Sequence, residues 1–380
     1  MELVMEQSIQ TPARNQTFQY LRTLLIIMVI DDHVSSRIGI LSSIFPYNSF
    51  FMPAFIFISG YFFKQQPFLT VFKKKMKTLF VPYIIWCTIG ELISFILAKA
   101  NIVYWYGEIN IKNIFVLLIK GPISSVTGAG WFIIMLFHLV LIYSLLRNTI
   151  FPDNRIADTV LLISSIALGM LSLYMCMRGY NNTFYKISFF RLLFYFQFYH
   201  IGYMFKKYWE PIIQRGNKLL ICSACIICNV ILICHFGDRL KFSATSEMKS
   251  FHSCYLPLIT SVTAILFWYI AMDFLASKIK KNKVIDFIAN NTFTIVMTHL
   301  FFLNIPNFYV FFKVKSGSTS YADFDVSLFQ SSAWYRYSPN TKLVGFFFGF
   351  AGSILLSFLI IKAKKKLSEF KAPFSMRIKS

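Results

Sequence analysis

The sequence predicts an all-α membrane protein of about ten transmembrane helices in one bundle, with both termini cytoplasmic. Three observations carry this. Of 380 residues, 56% are hydrophobic and only 14% are charged, including 44 phenylalanines, outside the range of soluble domains and of disordered chains. The apolar residues fall in runs of the roughly 20 needed to cross about 30 Å of hydrocarbon. The basic residues sit in short clusters between those runs, as topology signals do. The formal charge of +22 is therefore read as orientation within a membrane and not as affinity for nucleic acid.

The expected spans are 22–42, 49–63, 79–98, 131–147, 157–176, 187–205, 218–235, 255–275, 286–311 and 342–361. An even number places both termini on one side. With the N-terminus in the cytoplasm, most of the 38 lysines and arginines fall on the cytoplasmic face, as the positive-inside rule requires. The chain reads as a single domain, 1–380, with a cytoplasmic segment 1–19, an outer loop 312–341 and a basic cytoplasmic tail 362–380. No internal period or domain-sized linker interrupts it. Met1 to Gln19 is polar and the first apolar run lacks a small-residue cleavage site, so the first span is expected to serve as the targeting signal.

That first span, YLRTLLIIMVIDDHVSS from Tyr20 to Ser36, is the most informative stretch. Arg22 precedes an apolar run from Leu24 to Ile30, and Asp31, Asp32 and His33 follow where lipid would demand apolar residues. A charge inside a span costs several kcal/mol unless protein or water receives it, so these residues are functional candidates. Arg22 and His33 share one face of a regular helix, about 16 Å apart along its axis. Asp32 and Asp31 lie about 100° and 200° round the wheel from His33, so either orients the imidazole only where the helix is distorted.

The segment QQPFLTVFKKKMKTLFVPY after span two is strongly basic. It has two readings: a topology determinant lying on anionic lipid, or a site for phosphate. After span three, Ile111 to Lys120 is too short to cross and is followed by GPISSVTGAG. Irregular backbone at membrane depth needs cover from protein or water, so a re-entrant or interfacial element at the outer face is expected. Glu91, within span three, must find a partner or line a cavity. In span six, Gln197 and His200 read as helix-packing residues, whereas Arg191, near the outer end, is a candidate for binding a polar substrate. His138, His235 and His252 read as structural.

The outer loop holds Tyr321, Asp323, Asp325, Trp334, Tyr335, Arg336 and Tyr337. This mixture suits a sugar, with apolar faces and hydroxyls, and equally suits a membrane interface. Cys222, Cys225 and Cys228 have metal-ligand spacing but lie in an unbroken apolar run with no nearby histidine, so they read as small apolar fillers and no metal is expected. The seven cysteines suggest no disulfide framework. Neither GxGxxG nor GxxxxGK[ST] occurs.

Several of these stretches together resemble the acyltransferase-3 family of integral-membrane O-acyltransferases, which includes fucose 4-O-acetylase-like and intercellular-adhesion C-type proteins. The likeness rests on Arg22 with ten residues between it and His33, FFMPAFIFISGYFFK (Phe50 to Lys64), and a basic cluster leading into LFVPY (Leu79 to Tyr83). It extends to Gly130-Trp131-Phe132, FYHIGYMFKK (Phe198 to Lys207) and TIVMTHLFF (Thr294 to Phe302), and so covers nearly the whole chain. The basic motif departs from the family's two arginines three apart: Lys74 and Lys77 stand at that spacing. Lysine binds phosphate as a point charge without the planar fork of arginine.

The resemblance implies transfer of an acetyl or other short acyl group from cytoplasmic acyl-CoA to a sugar hydroxyl of a surface or exported polysaccharide, in the bacterial cytoplasmic (inner) membrane. Arg22, Lys74 and Lys77 are then expected to hold the phosphates of acetyl-CoA. His33 is expected to be the catalytic residue, with Asp32 as its companion. Imidazole suits a general base because its unperturbed pKa of about 6.5 lets it take a proton near neutral pH; a covalent acyl-histidine route stays open beside it. His299, Arg191, Trp131 and Glu91 are the candidate substrate-binding residues. The remaining readings are a transporter or flippase of a lipid-linked glycan without chemistry, and a structural assembly factor. Self-association is left open.

Overall fold

The computed structural model describes residues 12–34, 41–46, 49–105, 110–240, 242–245, 247–279, 281–337 and 342–376. Residues 1–11 of the expected N-terminal segment, 338–341 of the outer loop and 377–380 of the tail lie outside the described residues, as do the side chains of 368–376. The described residues are helical, with one isolated β-bridge between Ser243 and Lys249.

We number the main helices α1 (Pro12–Val34), α2 (Phe51–Tyr61), α3 (Phe68–Lys99), α4 (Ile111–Ile119), α5 (Trp131–Thr149), α6 (Arg155–Met177) and α7 (Phe184–Met204). These are followed by α8 (Lys218–Phe236), α9 (Leu256–Lys278), α10 (Lys283–Asn290), α11 (Thr292–Leu303), α12 (Ile305–Lys315) and α13 (Ser353–Met376). Local sequence sets several starts: the side chains of Asn110, Asn154, Asn217 and Asn282 accept from backbone N–H groups in the first turns of α4, α6, α8 and α10, satisfying donors that have no intrahelical partner.

Seven described helices are long and apolar enough to cross a membrane: Phe68–Lys99, Ser125–Thr149, Arg155–Met177, Lys218–Phe236, Leu256–Lys278, Thr292–Lys315 and Leu343–Leu367. The chain is a multi-pass membrane protein. Three of the ten expected spans are helical without meeting that measure. α1 carries Arg22, Asp31 and Asp32, α2 has 11 residues, and α7 is rich in tyrosine and other polar groups. All three are largely enclosed by other helices. A helix wrapped in protein is not held to the apolarity that lipid demands. The expected span 286–311 is interrupted, because α10, α11 and α12 are separated at Asn291 and Asn304. α4 has nine residues and rises only about 13 Å, so it does not cross; the 3₁₀ turn Ser125–Gly130 after it leads straight into α5.

α1 runs through the centre against α2, α9, α10 and α11. α2 and α7 cross with their backbones in contact. A Cβ on Gly60 would stand 1.8 Å from the Tyr199 carbonyl oxygen, and one on Gly202 would stand 2.0 Å from that of Phe57. The glycines of Ser-Gly-Tyr and His-Ile-Gly-Tyr are thus two halves of one contact, of the small-residue kind that lets membrane helices approach.

At one end, α5, α6 and α7 are tied by a buried polar cluster. Arg147 Nη1 meets Asp158 Oδ1 at 2.6 Å, both side chains fully buried. Lys207 Nζ and the Tyr208 hydroxyl donate to the other Asp158 oxygen at 2.8 and 2.7 Å. His200 Nε2 faces the Asp158 carbonyl at 2.9 Å while Nδ1 faces the Tyr143 hydroxyl at 2.9 Å. His200 is a packing residue, as its sequence setting predicts. Arg147 and Lys207, read from sequence as topology signals, also hold the bundle together.

Candidate active site

α1 presents Arg22, Val29, Asp32 and His33 to a cavity of about 300 Å³. Its other walls are Phe51, Phe55 and Ser59 from α2, Lys75 and Leu79 from α3, Trp131 and Phe132 from α5, Tyr195 from α7 and Val296 from α11. A second cavity of about 310 Å³ adjoins it and is lined by Arg22, Lys64, Lys74 and Lys75. Arg22, Ser59, Lys75 and Leu136 line both. The two cavities thus share a wall, the second cationic at the Arg22 end of α1 and the first largely apolar and aromatic toward His33.

Asp32 lines the cavity beside His33, although their wheel positions differ by about 100°; the site is wide enough to receive both faces. Lys74 lines the second cavity, whereas Lys77 lines neither and Lys75 lines both. Met76–Phe80, which contains Lys77, is a π turn, so the angle per residue changes just after Lys75.

His33 meets a partner from α11: its Nδ1 lies 2.8 Å from His299 Nε2, with the rings parallel within 5° and centroids 5.0 Å apart. The second nitrogen of His299, Nδ1, lies 2.9 Å from the Ile295 carbonyl oxygen. That oxygen only accepts, so His299 Nδ1 carries the proton and Nε2 of the neutral ring accepts. His33 Nδ1 then donates, leaving the lone pair on His33 Nε2. Hydrogen bonding from the far side fixes the tautomer of the nearer imidazole, as in other histidine sites.

The 312–337 loop reaches the same histidine. The Trp334 ring stands edge-on to His33, centroids 5.3 Å apart at 73°, and Arg336 Nε donates to the His33 carbonyl at 3.2 Å. Arg336 Nη1 donates to Asn304 Oδ1, Ala333 O and Tyr335 O. Burial pulls this guanidinium down to about 10, so it remains a cation at neutral pH.

The model of the acyltransferase-3 family, an acyltransferase domain, matches residues 15–362. The chain belongs to the acyltransferase-3 family. No curated protein and no solved structure matches it.

Three candidates for substrate binding, His299, Arg191 and Glu91, do not line the cavity of this acyltransferase, and of these His299 meets its wall through His33. Arg191 is fully buried behind Trp131, its guanidinium carbon 5.0 Å from the ring centroid, and Nη2 donates to the Lys120 carbonyl at 2.6 Å. Glu91 accepts from the Ser124 backbone N–H at 2.6 Å, and Ser94 bonds Ser124 at 2.8 Å. Glu91 thereby anchors the Gly121–Gly130 loop, whose end sets Trp131. The glycine at Gly121 is required there: its φ is +140° and a Cβ would stand 2.7 Å from Trp131 Cα.

Sequence reasoning passed over Lys75, Lys64 and Ser59 as individual site residues, and did not join Trp334 and Arg336 to His33. Lys75 stands in the basic run that was singled out, but only the π turn decides which lysine faces inward. The contacts from Trp334 and Arg336 join residues about 300 positions apart, for which a single sequence carries no signal.

Proposed function

We propose that the protein is a membrane-bound O-acyltransferase that moves an acetyl or other short acyl group from cytoplasmic acyl-CoA to a sugar hydroxyl of a surface or exported polysaccharide, in a bacterial cytoplasmic membrane. The observation that carries this reading is the pair of adjoining cavities, one lined by Arg22, Lys64, Lys74 and Lys75 and the other reaching His33. Acyl-CoA has its negative charge on phosphates at one end and its thioester at the far end of a long arm, so its two ends need these two environments. Lysines and arginine at the mouth bind phosphate by charge, and the apolar cavity receives the arm.

In this mechanism His33 Nε2 takes the proton of the acceptor hydroxyl as its oxygen attacks the thioester carbonyl. The tetrahedral intermediate collapses, the C–S bond breaks, and the CoA thiolate leaves and takes up the proton held by His33. His299 keeps His33 in the tautomer with a basic Nε2 and shares the charge of the imidazolium that forms. Trp131 and Trp334 offer rings to the apolar faces of a sugar.

Purified protein given labelled acetyl-CoA and a deacylated glycan acceptor should transfer label to the acceptor, and His33→Ala should stop transfer while leaving the melting temperature unchanged. A glycan carrier would leave acetyl-CoA intact, and an assembly factor would tolerate the substitution. Label retained on the protein with acetyl-CoA alone, and lost in His33→Ala, would replace general-base catalysis by an acyl-histidine route.

A further inference from the structure

Away from the acyl-transfer cavity, a lateral groove of about 360 Å³ lies between α4, α5 and α7. Ile119, Leu141, Ile142, Phe189 and Leu192 form its walls, and Arg191 and His138 also line it. Ile142 and Phe189 are exposed on the flank of the bundle, where a membrane protein meets lipid chains. Arg191 is fully buried, yet Nε and Nη1 have no hydrogen-bond partner, and the one bond it makes, from Nη2, goes to the Lys120 carbonyl. No described carboxylate pairs with it. A buried guanidinium without a counter-charge is costly, more so within a membrane, and its unpartnered N–H groups are donors that an anionic oxygen such as a phosphate's satisfies.

We propose that this groove binds an anionic lipid, its phosphate at the Arg191 guanidinium and a hydrocarbon chain along the Ile142 and Phe189 walls. The apolar lining favours a lipid over a free anion, and the unmatched cation favours an anionic head over a zwitterionic one. Because the same guanidinium lies on Trp131, which walls the reaction cavity on its other side, lipid occupancy supports the position of that ring. The proposal is independent of the acyl-transfer reading, since it concerns a different cavity and a different ligand.

The test is native mass spectrometry of the full-length protein in detergent, titrated with dioleoylphosphatidylglycerol, dioleoylphosphatidylcholine or inorganic phosphate, with melting temperature followed for each variant. Wild type should retain one phosphatidylglycerol with about ten-fold preference over phosphatidylcholine, a difference expected for one added charge interaction of moderate strength. Arg191→Gln should erase the preference and Arg191→Lys should keep most of it. Ile142→Trp, which fills the groove and leaves the cation in place, should weaken phosphatidylglycerol binding and decides the matter where Arg191→Gln fails to fold. Equal binding of the two lipids by wild type, a preference that survives Arg191→Gln, or displacement of the lipid by millimolar inorganic phosphate would each overturn the proposal, the last by showing a simple anion site.

Discussion

His33 and His299, 266 residues apart in the chain, are joined Nδ1 to Nε2 at 2.8 Å. The Ile295 carbonyl behind His299 makes this a directional pair, in which the far ring accepts and the near ring presents its lone pair to the cavity. His299→Phe keeps an aromatic ring but removes the acceptor, so His33 is free to adopt the other tautomer. Transfer should fall by roughly 10²-fold or more, within the span of general-base contributions. His299→Gln, which supplies an acceptor oxygen, should recover part of it. Rates measured with labelled acetyl-CoA, alongside the melting temperature, separate this from loss of fold.

Lys75 and Lys77 give a contrast within one helix, because Lys75 lines both cavities and Lys77 neither. Lys75→Ala should raise KM for acyl-CoA by roughly ten-fold, the scale of one hydrogen bond to a charged group, and more at low salt than at high. Lys77→Ala should leave KM within about two-fold, since an exposed charge outside the cavities contributes little. Equal effects from the two lysines would point to general surface attraction in place of a shaped site.

The crossing of α2 and α7 leaves no room for a side chain at Gly202, where a Cβ would meet the Phe57 carbonyl at 2.0 Å. Backbone cannot swing aside as a flexible side chain can. Gly202→Val should therefore cost about 3 kcal/mol or more, at or beyond the upper end of overpacking, seen as a drop in melting temperature in detergent with matching loss of activity. Gly179, where a Cβ meets nothing within 4 Å but φ is +78°, is the comparison: Gly179→Asn should be mild, since asparagine tolerates that backbone region.

Breaking the buried Arg147–Asp158 pair from one side leaves Asp158 with Lys207 alone as its cation, or Arg147 with the half-exposed Asp153 alone as its anion. Arg147→Met alone should cost about 1.5–3 kcal/mol, the scale of a lost hydrogen bond to a charged group, whereas Arg147→Met with Asp158→Leu should cost less than the sum of the single changes. A double-mutant cycle on thermal unfolding reads the difference directly.

Asp153 sits in the turn before α6, about half exposed, with its carboxyl held below its usual value chiefly by the hydrogen bond from Lys207 and then that from Tyr203. A carboxylate depressed in the folded state contributes stability that is present above about pH 4, its unfolded range, and is lost as pH falls through the lower folded value. Asp153→Asn should lower the plateau above about pH 4 modestly, because solvent screens the pair, and leave the acid end nearly unchanged, so that the acid limb flattens.

The sequence by itself determined the class of the molecule and the line along which its chemistry runs. Apolar run lengths fixed a helical membrane protein, and Arg22 and His33 were placed on one face of α1 by helical geometry alone, which is a local property. Which lysine of the basic run lines the cavities is not a local property, because one π turn after Lys75 changes the angle per residue and nothing in MKTLF announces it. Three helices with too many polar groups or too few residues to satisfy lipid are interior elements, since enclosing protein replaces the hydrocarbon against which apolarity is judged. Only the tertiary structure decided that His299 supports His33, that Trp334 and Arg336 close over it, and that Arg191 stands behind the cavity wall. These relations join positions far apart in the chain, and their energies depend on distance and enclosure, which arise only when the helices pack.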